Sequence, residues 1–229
     1  MKKALLIFFA LLPLSLASIG TTVKPASPAP LDHASLWSGI YNELKLDSNG
    51  LRKEVFDYAV RGLQKIDFPK SVLSIVDLSQ PSNRKRLYVI DLNSHKLLFQ
   101  TYVAHGRNSG ELMAASFSNV ASSFQSSLGF YQTLGTYQGK HGLSLQLKGL
   151  ERGFNDNAFS RAIVMHGADY VCEDFIRRTG RLGRSQGCPA IENGLSKAII
   201  EAIKGGSCLF VFSPDSNYMQ KSTFLNYIG

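Results

Sequence analysis

Two short stretches of this chain carry residues equipped for chemistry. One is a cysteine in a glycine-containing turn, Gly183-Arg184-Ser185-Gln186-Gly187-Cys188-Pro189-Ala190; the other is Ile163-Val164-Met165-His166-Gly167, where a histidine closes an apolar run 22 residues before the cysteine. A sulfur nucleophile and an imidazole that takes and returns a proton are the minimum for acyl transfer through a thioester. A free thiol is only a few per cent ionised at neutral pH, so it needs an imidazole, positive charge or a helix N-terminus beside it. Of the three His-Gly pairs, at His105, His141 and His166, only His166 directly ends an apolar strand that can fix its ring. Arg177, Arg178, Arg181 and Arg184 lead up to Cys188 and offer positive potential. Gly187 removes a Cβ beside the sulfur, and the Gly187 and Cys188 amides are candidates to meet a developing oxyanion, worth a few kcal/mol in other enzymes. Pro189 fixes φ, and Ser185 bonds either within the loop or to substrate. The competing reading is a small buried cysteine in a glycine turn with no chemistry at all.

The elements that would position this pair follow from periodicity. Leu36, Trp37, Ile40, Tyr41 and Leu44 share one helical face, and so do Leu51, Val55, Phe56, Ala59, Val60, Leu63 and Ile66. Asp47-Ser48-Asn49-Gly50 separates the two runs and offers capping side chains to the second helix. Residues 33–70 therefore read as a small N-terminal helical extension, too small to form a core alone. From Ser71 the pattern turns to strands: Val72–Leu78, then Leu87–Asp91 and Leu97–Ala104 as a hairpin, Gly129–Thr133, Leu143–Leu147, Ala162–Met165 and Leu209–Phe212. His105 to Ser127 is a long polar loop of the kind that carries function. An amphipathic helix over Leu195, Ala198, Ile199, Ala202 and Ile203 is expected to be capped by Asn193 and stopped by Gly205-Gly206. Residues 71–215 form the expected catalytic domain and 216–229 a tail. The fold class is mostly β with a few helices (α+β).

The N-terminus reads as an export signal: Met1-Lys2-Lys3, an apolar run from Ala4 to Leu12, and Ser15-Leu16-Ala17 as a small-residue exit. Cleavage is expected after Ala17, with Ser18 or Gly20 as alternatives, which leaves no membrane span; an uncleaved anchor is the other reading. Residues 18–32, with Pro25, Pro28 and Pro30, form an extended linker. The formal net charge is +8, and losing Lys2 and Lys3 leaves 8 − 2 = +6. That balance suits an anionic cell-wall polymer and equally serves plain solubility. Export and the lack of basic runs interleaved with aromatics argue against nucleic acid. Three cysteines, Cys172, Cys188 and Cys208, are odd in an exported protein and leave one thiol over. Cys172 and Cys208 either pair or stay as two buried free thiols. With no CxxC and no HxxxH, no metal site is expected, and no cofactor.

Four segments, in order, resemble the murein L,D-transpeptidase catalytic domain, the branch of YkuD-type enzymes with Pro-Ala after the cysteine. They are Ser127-Leu128-Gly129-Phe130-Tyr131, Tyr137-Gln138-Gly139-Lys140-His141-Gly142-Leu143-Ser144-Leu145, Met165-His166-Gly167-Ala168-Asp169-Tyr170 and the Gly183–Ala190 turn. The resemblance spans about Leu73 to Pro214 and omits the N-terminal helices. It implies a β-sandwich or barrel acting on peptidoglycan stem peptides in the periplasm or cell envelope. Cys188 then resembles the nucleophile and His166 the general base and acid, with the Gly167 carbonyl orienting the ring. Gly187 and Ser185 match motif positions, His141 is either supporting or structural, and Arg184, Arg181 and Gln186 are candidates for substrate contact. Most YkuD-type enzymes have arginine two residues after the cysteine, where this chain has Ala190; Arg184 or Arg181 would then meet the substrate carboxylate. His105 has no counterpart role. The thioester is resolved by a stem-peptide amine (transpeptidase) or by water (L,D-carboxypeptidase). A papain-like protease has the reverse order of cysteine and histidine, and a non-catalytic wall-binding protein is the alternative of another class. The sequence leaves the oligomeric state open.

Overall fold

The computed structural model describes residues 33–226; the expected signal peptide (1–17), the linker (18–32) and residues 227–229 lie outside the described residues. In chain order the elements are α1 (His33–Glu43), α2 (Lys53–Leu63), β1 (Val72–Asp77), β2 (Leu87–Asp91), β3 (Lys96–Thr101), β4 (Val103–Ala104), β5 (Gly129–Gly139), β6 (Gly142–Gly149), β7 (Val164–Ala168), α3 (Glu173–Thr179), β8 (Ala190–Glu192), α4 (Asn193–Ile203), β9 (Cys208–Phe212) and α5 (Ser216–Lys221). The described strands form one sheet in the order β3-β2-β1-β9-β5-β6-β7-β8-β4. Its β1–β9 and β7–β8 pairs are parallel and the others antiparallel. β1 and β9 are buried at every position, as strands covered on both faces should be, with Ser74 and Asp77 the polar exceptions in β1.

β3 and β4 are separated only by Tyr102, yet they stand at opposite ends of the strand order. The sheet therefore curls until its ends nearly meet, giving a barrel-like body. The expected single strand Leu97–Ala104 is thus two, because the chain leaves β2 at Thr101 and joins β8 at Val103. The buried Arg86 guanidinium fixes the switch, donating from Nε and Nη2 to Val103 O at 3.1 and 3.0 Å.

The two N-terminal helices share the main core. Val55, Phe56, Ala59 and Val60 of α2 are buried and belong with the strand residues to one apolar cluster. Tyr41 ties α1 to the start of α2, its hydroxyl donating to Leu51 O at 2.6 Å. The expected capping runs the other way. Arg52 precedes α2 without a side-chain cap, while Asn49 turns its amide back to Leu44 O and Lys45 O, closing the carbonyl end of α1. Asn193 is likewise not the cap of α4: Glu192 is, without a side-chain bond, and Asn193 instead donates to Asp169 Oδ1. Of the expected tail, residues 216–226 pack onto the body. α5 is capped by Asp215, which accepts from Tyr218 N at 2.9 Å, and buries Tyr218 against Glu151, hydroxyl to Oε1 2.8 Å.

All three thiols are free, so the Cys172–Cys208 bridge is absent; Cys208 is buried in β9 and Cys172 is half-buried before α3. The polar stretch after β4 is an ordered wall that satisfies its backbone with its own hydroxyls. Gly106 N donates to Ser126 Oγ at 3.0 Å and Ser126 N to Ser109 Oγ at 2.9 Å. Among the described residues no helix is long and apolar enough to cross a membrane.

Candidate active site

β7 carries the histidine. Its residues Val164 and Met165 are buried, and its pairing sets His166 opposite Ser144 of β6 on one side and Ala190 of β8 on the other. Because Ala190 is two residues past Cys188, parallel pairing of β7 with β8 delivers the sulfur turn to the strand that holds the imidazole. His166 Nδ1 lies 2.8 Å from Gly167 O. A carbonyl only accepts, so Nδ1 carries the proton and Nε2 presents its lone pair. A side chain at Gly167 would run into Asn193 and Ser196 at the start of α4, which keeps the strand pressed against that helix.

The turn is held from both sides. Ser185 N donates to His105 O at 2.9 Å and Arg107 N to Ser185 O at 2.8 Å. Within it, Ser185 Oγ donates to Cys188 O at 2.6 Å and accepts from Gly187 N at 3.1 Å. The Ser185 hydroxyl is therefore spent inside the loop. So is the Gly187 amide, which removes it from the expected oxyanion pair and leaves the Cys188 amide. Gly187 has φ +119°, and a Cβ there would sit 2.8 Å from Gln125 O, so both backbone and space require glycine.

Cys188 and His166 open onto one cavity of about 430 Å³, with Ser185, Gln186, Arg184, His141, Lys140, Tyr170, Arg161, Ala162, Ser122 and Phe124 among its walls. The sulfur's hydrogen bond runs to Ala162 O at 3.8 Å; among the described residues none joins it to His166. Burial pushes the Cys188 thiol up, against the Val164 amide and the positive charges of Arg161 and Lys140. Burial pushes His166 down, and His141 and Lys140 push it further, against the Gly167 hydrogen bond. Both directions favour the uncharged pair, thiol and imidazole, over the expected resting thiolate.

Of the sequence candidates, Arg181 is off the cavity wall. It pairs with Glu111 at 2.9 Å and donates to Leu182 O. Arg184 is on the wall but committed to Glu111 at 2.5 Å, Arg107 O and Gly110 O. Arg177 faces Glu173 and Asp174, and Arg178 lies over Phe175, so neither supplies the potential at Cys188. Residues that sequence reasoning passed over are Arg161, Lys140 and Tyr170. Arg161 stands five positions before His166, which was its only sequence signal. Ser122, Phe124 and Ala162 have φ of 58°, 55° and 54°. Three left-handed non-glycine residues on one cavity wall concentrate backbone strain where function is usually found.

No curated protein matches the sequence. Among solved structures, the chain is similar to an L,D-transpeptidase from Mycobacterium smegmatis, 11% identical over 62% of this chain and 59% of that one, TM-score 0.39. Others are L,D-transpeptidase 3 from Mycobacterium tuberculosis (12%, 62% and 61%, TM-score 0.40) and an L,D-transpeptidase from Stackebrandtia nassauensis (20%, 71% and 67%, TM-score 0.36). The chain thus spans about 59% of the length of the first of them. The family model YkuD_2 matches residues 47–212, beginning ahead of α2 and so taking in a helix that the four motifs left out. With a match over most of its length, the chain belongs to the family described as L,D-transpeptidase catalytic domain.

Proposed function

We propose that this protein is an exported L,D-transpeptidase that cross-links peptidoglycan stem peptides through a thioester on Cys188. The observation that carries the reading is the shared cavity: a half-buried thiol and an imidazole with its Nε2 lone pair free open onto the same space. As Cys188 Sγ attacks the carbonyl of the L-centre of a diamino acid in a tetrapeptide stem, His166 Nε2 takes the thiol proton. The Cys188 amide supports the oxyanion, the contribution of one such donor being about 3–4 kcal/mol elsewhere. The tetrahedral intermediate collapses as His166 returns that proton to the departing D-Ala amine. An amine of a neighbouring stem then attacks the thioester, giving its proton to His166, and a new amide forms as the thiol is regenerated. Lys140 on the wall suits a carboxylate of the stem.

Mature protein incubated with a disaccharide-tetrapeptide tests this by product mass. A dimer lighter than two substrates by one D-Ala is expected. A tripeptide alone would make the protein an L,D-carboxypeptidase, and unchanged substrate, with no covalent carbapenem adduct on Cys188, would leave a wall-binding protein.

A further inference from the structure

Of the three cations on the cavity wall, Arg184 is neutralised by Glu111 and Lys140 stands on the exposed β5–β6 turn. Arg161 differs from both. It is half-buried, and all its hydrogen bonds go to uncharged oxygens: Nη1 to Ser118 O and Ser127 Oγ, and Nη2 to Ser123 Oγ and Gln125 O, at 2.5–3.2 Å. No carboxylate pairs with it among the described residues. A guanidinium fixed by four bonds at the edge of a cavity, with its charge unspent, is poised for an anion that the resting site does not contain.

Its position says which anion. A Cβ at Gly187 would lie 3.5 Å from Arg161 Nη2, so the guanidinium sits against the backbone next to the sulfur. The carbonyl that receives the Cys188 thiol belongs to the adjoining residue, Ala162, held in a left-handed conformation. The same four bonds pin residues 118–127, whose Ser122 and Phe124 also line the cavity. We propose that Arg161 is a positioning residue of the thiol site: it fixes the 118–127 wall and holds beside Cys188 the positive charge that receives the sulfur's negative charge as its proton leaves. A fixed, half-buried cation is less screened than one on a mobile surface stem. The other titratable groups lining the cavity are Tyr137 from β5, His141 and Lys140 from the β5–β6 turn, His166 from β7, Tyr170 after β7, and Arg184 from the sulfur's own loop.

The proposal rests on Cys188 being a reactive thiol and is tested without any peptidoglycan substrate. Iodoacetamide labelling of Cys188 is followed by mass against pH in full-length mature protein carrying Cys172→Ser. Arg161→Met is expected to move the labelling midpoint to higher pH by about one unit, slowing labelling near neutrality about tenfold. Arg161→Lys, which keeps a charge, recovers most of the shift, and Lys140→Met moves the midpoint less. Ser123→Ala and Ser127→Ala loosen the guanidinium without removing it and give smaller upward shifts, so the test survives a failure of Arg161→Met to fold. A midpoint unmoved in the folded Arg161 and serine variants, or equal in Arg161→Lys and Arg161→Met, overturns the proposal. Normal labelling with no transfer product would instead count against the proposed reaction.

Discussion

The His141 ring lies nearly parallel on the His166 ring, with 4.4 Å between centroids and 18° between planes. His141 comes from the exposed tip of the β5–β6 hairpin, and its partner sits in the middle of the sheet. The upper ring shields the lower from water and sets a second titratable nitrogen base beside it. Both effects hold His166 below its ordinary value of 6.5.

His141→Ala should therefore raise the His166 pKa toward that ordinary value. With neutral imidazole as the base of the proposed reaction, the acid limb of the rate profile moves to higher pH while the rate at alkaline pH stays close to that of the wild type. His166→Ala should abolish transfer and slow Cys188 alkylation at neutral pH far more than His105→Ala. Rates of alkylation and of product formation from about pH 5 to about pH 9 check both; equal alkylation in the two alanine variants would remove His166 from the mechanism.

Gly187→Ala meets a backbone at φ +119° and the Gln125 carbonyl. A cost of about 1–3 kcal/mol is expected from the backbone alone, which is roughly 2–4 °C in Tm per kcal/mol for a chain of this size. Gly153→Ala, with φ +82° but open space around the added carbon, is the control and should lose less. Calorimetry compares the two, and transfer activity should fall only in the first.

His105 ties the sulfur turn to the core. Arginine only donates, so Nδ1 accepts from Arg86 Nη2 at 2.8 Å and Nε2 carries the proton toward Gly110 O at 3.2 Å. Burial, then the Arg86 charge, lower its pKa from 6.5 to about 4. The unfolded chain then binds the extra proton between those values, so the contribution is complete above 6.5 and is lost as pH falls toward 4, roughly 3 kcal/mol in all. In His105→Gln the decline in Tm across that window should flatten; an unchanged slope would show that the ring does not govern it.

Glu151 has the opposite sign. Its carboxylate gathers Phe130 N, Tyr218 and Ser222, yet burial outweighs these bonds and raises its pKa. The folded chain then holds the proton more tightly, and stability falls as pH rises from the ordinary carboxylate range through the raised value. Glu151→Gln carries no charge, so its Tm relative to the wild type should improve as pH rises out of the ordinary carboxylate range. A constant difference would refute this.

The sequence made visible whatever depends on repetition or on unusual pairs of residue types. The apolar spacing of α2 and α4, the runs of β1, β2 and β9, and the Cys188 and His166 turns all showed in it. What stayed hidden depends on partners far away in the chain. The break at Tyr102 interrupts no alternation, because Val103 and Ala104 are as apolar as the strand before them. Tyr218 looks like part of a tail until Glu151, 67 residues earlier, is placed beside it. Arg161 reads as a solvated turn cation until the wall it grips is folded, and Asn49 and Asn193 are good caps by type that found other partners.

The single residue joining β3 to β4 has one more effect. Ser185 is gripped by His105 and Arg107, and these follow directly on β4, the strand that completes the ring. That grip depends on β4 lying along β8. A local parting of β4 from β8 would therefore release the sulfur turn in a protein whose other strands remain intact.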